Sequence, residues 1–265
     1  MRKSILALVL LPLFLSVNAQ SLIGGKNIVK VNLTSLALGD YNFTYERKIL
    51  PHITASLGIS KLPTRNLPFK SQIQDYTKSS FIDYDNATVG NFTITPELRL
   101  YLIGAGHGLY VAPYGRYTSM DLFVPLKYDV DLTKPGQPAL SGVQHEKASF
   151  SGTVHATSGG LMVGTQFQLL TKVVLDIWIV GAHYGSCDGD LTATYTPLDQ
   201  SHPNSQISKA ENKGIQDALN TLDPSPFKVK GTLNPNAPTT NTADIKVSGP
   251  WVGVRALGIN VGIRF

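Results

Sequence analysis

The 265-residue chain predicts an all-β fold: a single eight-stranded antiparallel transmembrane β-barrel with long external loops, one of which carries a short helix. Three observations predict it. Apolar residues recur at every second position in eight segments, the period of a strand whose two faces meet different surroundings. The polar faces of those segments carry a balanced set of mid-strand charges. The links between segments alternate between short and long, as the turns and loops of a membrane barrel do. Composition excludes the main alternatives. Charged residues make up 15% of the chain and hydrophobic residues 42%, against roughly 25% charged in an ordinary soluble domain. A disordered chain carries more charge, and a helical membrane bundle needs several long apolar runs. Only the first twenty residues contain one. A single cysteine excludes an internal disulfide framework.

That first run reads as a secretory signal. Arg2 and Lys3 form a positive n-region, Ile5 to Val17 an apolar core, and Val17-Asn18-Ala19 a small-residue cleavage site. The expected organisation is a cleaved signal peptide over 1–19 and one domain over 20–265. Cleavage leaves 246 residues and lowers the formal charge from +5 to +3 by removing Arg2 and Lys3. The pI of about 9.2 therefore belongs in part to the leader. With no basic stripe, nucleic acid is not expected as a partner.

The strands follow in order. Val29, Val31 and Leu33 alternate with polar neighbours and predict a strand over 28–37, closed by the turn pair Gly39-Asp40. Tyr41, Phe43 and Tyr45 predict 41–48, and Ile53, Ala55, Leu57 and Ile59 predict 53–61. Phe92, Ile94, Leu98 and Leu100 predict 91–102, followed by a glycine-rich turn. Leu109, Val111 and Tyr117 open a strand over 108–128, and Leu161, Val163 and Phe167 close one over 147–169. Val173, Leu175 and Ile177 predict 173–185. The chain ends on 244–265, with Leu257, Ile259, Val261, Ile263 and Phe265 in alternation. Pro96 and Pro113 each remove a ladder hydrogen bond, so bulges or strand ends are expected there. Crossing a bilayer takes about 9–11 residues, so 108–128 and 147–169 are long enough to protrude beyond it.

Alternation alone also fits a soluble sandwich. The charges favour closure. Lys30, Glu46, Glu97, Arg99, Arg116 and Asp176 lie mid-strand on the polar faces, three positive and three negative. Inside a closed eight-stranded barrel such charges must pair to offset desolvation, which predicts an interior ion network and little open lumen. In the last strand Arg255 shares parity with Leu257 and Phe265. A bulge near Ala256 turns Arg255 inward; otherwise Arg255 stands above the apolar band.

The remaining connection, 186–243, reads as a long loop. Ser208-Lys209-Ala210-Glu211 has the form of a capping box, and Ala210, Ile215, Ala218, Leu219 and Leu222 predict a helix over about 209–222. Antiparallel pairing about Thr171 brings His155 near Cys187, with His183 a few residues below. These three are weak candidates for a site at the barrel rim. No motif assigns a catalytic, metal-ligating or cofactor-binding residue, and no cofactor is expected.

The window from Asn27 to Glu46, the blocks Thr95 to Tyr101 and Gly159 to Leu170, and the ending WVGVRALGINVGIRF resemble a family of uncharacterised small outer-membrane proteins of Bacteroidota. In architecture the chain is similar to eight-stranded barrels of the OmpA and OmpX type. The final strand, with Ile259, Val261, Ile263 and a terminal Phe265, resembles the assembly signal of Gram-negative outer-membrane barrels. The resemblance implies a bacterial outer-membrane location, with membrane lipid and the barrel-assembly machinery as partners. It carries no activity. The expected function is a surface scaffold or binding module without catalysis, meeting a protein or glycan through 186–243. The alternative is an outer-membrane enzyme acting on lipid A or another envelope substrate at the rim near His155, His183 and Cys187, and a narrow pore is disfavoured.

Overall fold

The computed structural model describes residues 25–77, 80–131, 142–195, 198–199, 205–220, 227–234 and 241–265. The expected signal segment lies outside them. Among the described residues, nine strands form one antiparallel sheet: β1 (Asn27–Asn32), β2 (Tyr41–Leu50), β3 (Ile53–Asn66), β4 (Thr88–Tyr101), β5 (Gly108–Asp131), β6 (Val143–Gln168), β7 (Val173–Tyr195), β8 (Lys228–Asn234) and β9 (Asn241–Arg264). Each of the first seven pairs with its successor, and β7 pairs with β9. β9 in turn pairs with β1, from Ile28↔Arg264 to Asn32↔Asn260, and this closes a ring of eight strands. β8 is a ninth strand, added to the far end of β9 from Lys228↔Ser248 to Asn234↔Thr242. No described helix is long and apolar enough to cross a membrane. That says nothing of the strands.

The short turns, the start of β1 and the end of β9 lie at one end, where Asn27 and Phe265 exchange backbone hydrogen bonds of 3.1 and 2.9 Å. At the opposite, loop end β5, β6, β7 and β9 run on for 23 to 26 residues in all. β1 is shorter than the alternation implies. Leu33–Ala37 form helix α1 instead, because Asn32 caps it by accepting from Ser35 N at 2.7 Å. β9 thereby loses its strand partner, and Thr34 Oγ1 takes up the freed Ile259 N–H at 3.0 Å. Helix α2 (Lys70–Thr77) lies in the β3–β4 connection, and α3 (Gln206–Asn220) in the β7–β8 connection. The expected loop 186–243 is therefore largely structured: β7 continues to Tyr195, and β8 pairs back on β9. α3 starts earlier than the capping box implies. Ser205 rather than Ser208 accepts at the N-terminus, from Ser208 N at 3.2 Å.

The prolines leave the register intact. β4 pairs with β5 at Ile94↔Tyr117 and again at Glu97↔Tyr114, skipping Thr95 and Pro96 without a shift, and Pro113 stays in register with Leu161. The bulges fall elsewhere. Ile179 and Val180 are both exposed, and β6 pairing jumps from Val180 to Trp178. Directly across, Ala256 and Leu257 are both exposed, and Leu257 adopts φ 42°. These two irregularities change the parity of β7 and β9 at one level.

A second level, several residues nearer the loops and running through Tyr117 of β5, Thr157 of β6 and Ser186 of β7, divides the molecule. On its turn side the outer face is apolar: Phe43, Leu57, Ile59, Leu98, Leu100 and Leu161 are all exposed, while Thr44, Glu46, Thr54, Glu97, Arg99 and Asp176 are buried inside. On its loop side the polarity reverses. Asp121, Lys127, Ser149, Ser151, Asp188 and Lys246 face outward, and the inner face holds the larger apolar core, built from Leu126, Val130, Phe150, Val154, Leu191 and Ile245 among others. α3 packs on both β5 and β8 and fills the seam left where β1–β3 end.

Candidate functional site

The turn-side interior is filled by ions. Lys30 donates to Glu46, to Gln166 and, at 2.7 Å, to Asp176. Arg99, fully buried, donates to Asp176 at 2.6 Å, to Glu97 at 2.8 and 2.9 Å and to Glu46 at 3.1 Å. Arg255 donates to the other Glu97 oxygen. Tyr101 donates to Glu46 at 2.9 Å and Tyr110 to Asp176 at 2.7 Å. Three cations thus face three carboxylates, each carboxylate shared, as burial of charge requires. Every one of these side chains comes from a strand, so the register of the ring sets the geometry.

Five of the six residues expected in the interior network meet there. Arg116 does not. Among the described residues it has no carboxylate within ion-pair distance, and Arg255 takes its place as the third cation. The physical reason is the bulge at Ala256–Leu257, which swings Arg255 inward between Tyr114 and Trp178, 5.3 and 3.7 Å from their ring centres. Arg116 lines a polar cavity of about 190 Å³ just above, with Asp40, Asn42, Trp178 and Arg255. Asn32 Nδ2 and Trp178 Nε1, both on that cavity, have no protein hydrogen-bond partner.

Further toward the loop end, inside the extended strands, lies a second cavity of about 270 Å³. Its lining is wholly apolar: Met120 and Leu122 of β5, Phe150 and Val154 of β6, Leu191 of β7 and Trp251 of β9 represent its walls. α3 packs between β5 and β8 in the wall of this collar. Ile215, Ala218 and Leu219 are buried against the apolar core. A side chain at Gly231 would put its Cβ 2.8 Å from Leu219 Cβ, so only glycine lets β8 approach the helix this closely. Glu211 accepts from Leu198 N at 3.0 Å and Tyr128 Oη at 3.2 Å. Burial holds its carboxyl above the ordinary range despite these two bonds. On the outer wall, hydrogen bonds from Asn86 and Lys147 hold the Asp83 carboxyl below its usual range.

The three rim candidates are neighbours in register and divided between faces. Cys187 pairs with Ala156 and points inward, buried in the apolar core. His155 pairs with Asp188 and points outward, with its Nδ1 3.0 Å from Tyr117 Oη. His183 lies inside, one layer lower, with its Nδ1 3.2 Å from Tyr114 Oη. No substrate atom reaches all three, and burial, with Asp188 nearby, pushes the Cys187 thiol up and away from a reactive thiolate. Among the described residues no group of three His, Cys, Asp or Glu is placed to hold a metal ion. Ile259, Ile263 and Phe265 are exposed on the outer face of β9, with Val261 half-buried beside them. Sequence reasoning missed the apolar cavity. Its signal was present in β5, where Met120, Leu122, Val124 and Leu126 continue the parity of Tyr110 and Tyr114 but not their polarity.

The arrangement defines a class: a small closed ring of antiparallel strands, ionic inside and apolar outside over one half, and the reverse over the other. The chain belongs to the family described as protein of unknown function (DUF3575), whose model matches residues 5–206. The match runs through β1–β7 and stops at the first residue of α3. No curated protein matches the chain.

Proposed function

We propose that this protein is a β-barrel of a Gram-negative outer membrane, allied to the small barrels of Bacteroidota, that acts as a non-enzymatic surface scaffold or binding module. The observation that carries the reading is the reversal of polarity along the strands. A face of exposed Leu, Ile, Val and Phe has no stable place in water, and a collar of Asp, Lys and Ser has none in hydrocarbon. The reversal supports a bilayer around the turn-side half and water around the loop-side half. Aromatic residues support both boundaries: Phe167 and Phe265 are exposed near the turns, and Tyr41, Phe92, Tyr117 and Tyr184 near the reversal. On β6, Thr157, the partner of Tyr117, is ten residues from Phe167. That is about 33 Å along a strand, or about 25 Å of height at a barrel tilt of about 40°.

Within this reading the ion network plugs the bore, which disfavours a pore. Ile259, Val261, Ile263 and Phe265 form the terminal strand that the assembly machinery takes up, and residues 186–243 with the collar meet a surface protein or glycan. The test is reconstitution of the mature chain into lipid vesicles. A migration difference between unboiled and boiled samples on SDS gels, with retention through alkaline carbonate, is expected. Uniform migration with release into carbonate overturns the reading. Photo-cross-linking from the exposed α3 positions Lys213 and Asp217 in native cells then identifies the partner.

A further inference from the structure

We infer that the collar cavity is a binding site for a free single-chain aliphatic amphiphile of about ten carbons, held by its hydrocarbon chain. The inference deepens the binding reading above and rests on it for one point, the position of the cavity in water beyond the bilayer. The lining decides the ligand class. All fourteen side chains around the cavity are apolar, so no group there orients a polar ligand, and no partner exists for an ordered water. The size decides the length. An apolar cavity of about 150 Å³ accepts benzene, and 270 Å³ scales to a chain of about ten carbons.

The surroundings decide between sources of the chain. At this level the outer face carries Asp121, Asp188, Asp190 and Lys246, which keep bilayer hydrocarbon away from the wall, so the chain comes from solution rather than from a membrane lipid. Below the cavity, among the described residues, Asn32 Nδ2 and Trp178 Nε1 are donors without protein partners and Arg116 has no carboxylate within ion-pair distance, Asp40 being the acid on the same lining. The bore beneath therefore suits an acceptor or anionic headgroup better than a cationic one.

Cys187 lines the cavity and is the only cysteine of the chain, so its alkylation reports occupancy. The mature protein is refolded in amphipol without lipid and, in parallel, in vesicles of dioleoylphosphatidylcholine, then treated with N-ethylmaleimide in the presence of decanoate, decanol or hexanoate. Decanoate and decanol are expected to slow alkylation at least tenfold, saturably, in both preparations. At about fourfold per methylene, hexanoate should need about two orders of magnitude more ligand. Equilibrium dialysis with radiolabelled decanoate extends the test to V247W and M120W, which fill the cavity from β9 and from β5. Both are expected to lose binding while keeping the boiled-versus-unboiled gel shift. The inference is overturned if neither ten-carbon ligand slows alkylation, or if both variants bind decanoate as the parent does. It also falls if Cys187 is already blocked without ligand in amphipol, which would assign the cavity to the chain's own residues. Blockage in vesicles alone would assign it to bilayer lipid. A protein that fails to enter vesicles yet protects Cys187 with decanoate refutes the membrane reading and keeps the site; one that enters vesicles without protection does the reverse.

Discussion

Asp176 shows how much a single buried carboxylate holds in place. It accepts from Lys30, Arg99 and Tyr110, and it is fully buried. Neutralising it leaves Lys30 and Arg99 with one carboxylate fewer between them, and an uncompensated buried charge costs about 3–5 kcal/mol. Asp176→Asn is therefore expected to lower stability by about that amount, read as a shift in the urea midpoint of tryptophan fluorescence in vesicles. Arg116 gives the contrast. Among the described residues it has no carboxylate partner at ion-pair distance, so Arg116→Met removes a buried charge without breaking an ion pair. Its midpoint is expected to stay level or rise. Equal losses in the two variants would mean that charge number rather than pairing stabilises the interior. The identity of these residues was legible from strand parity alone. Which cation completes the set stayed open between Arg116 and an Arg255 turned inward by a bulge near Ala256, because a bulge has no composition of its own; the structure shows the bulge. The conflict between Arg255 and its apolar neighbours was the only trace of it.

At the scale of elements, α3 substitutes for strands. The ring closes through β1 and β9 at the turn end, but β1, β2 and β3 stop short of the collar, and the helix spans from β5 to β8 in their place. Its docking depends on Glu211, which is buried against Tyr128 and Leu198. Because burial raises the Glu211 carboxyl, the folded collar binds that proton more tightly than the unfolded chain does. The stabilisation is fully present below the ordinary carboxylate pKa and is lost as pH rises through the raised folded value. Protease cleavage within α3 is thus expected to slow as pH falls from 7 to 5, and Glu211→Gln, uncharged throughout, is expected to flatten that dependence. A profile unchanged by the substitution would remove Glu211 as its source. The helix itself was visible as a stripe of Ile215, Ala218 and Leu219. Its start was not, since Ser205 caps it in place of Ser208 and Glu211 reaches Leu198 instead of closing the capping box. β8 was hidden for a similar reason. Val229 and Leu233 flank Gly231, whose bare backbone is demanded by Leu219 rather than by the strand.

Across the whole molecule, alternation reveals that two faces differ but not which face is outside. Over the turn-side half, large apolar side chains look outward and carboxylates inward; over the collar, the same strands β5 and β6 keep their parity and exchange their chemistry. β7 and β9 slip one residue at Ile179–Val180 and Ala256–Leu257, on the turn side of the reversal, which keeps Val180, Val252 and Val254 outward before Asp188 and Lys246 take over the outer face. On β5, β6 and β7 the change falls at paired positions, Tyr117, Thr157 and Ser186, so the reversal belongs to the ring rather than to any one strand, as a fixed external boundary between hydrocarbon and water would require. A scan of arginines along the outer face tests this directly. At Leu98, on the apolar half, Leu98→Arg faces lipid and is expected to cost about 2–4 kcal/mol in vesicles. At Ser151, on the outer wall of the collar, Ser151→Arg meets water and is expected to stay within about 0.5 kcal/mol of the parent. In detergent-free buffer with no bilayer the penalty at Leu98 has no source, so the difference between the two positions should appear only when lipid is present. Equal tolerance at both sites in vesicles would place the whole ring in one solvent and remove the physical reason for its reversal.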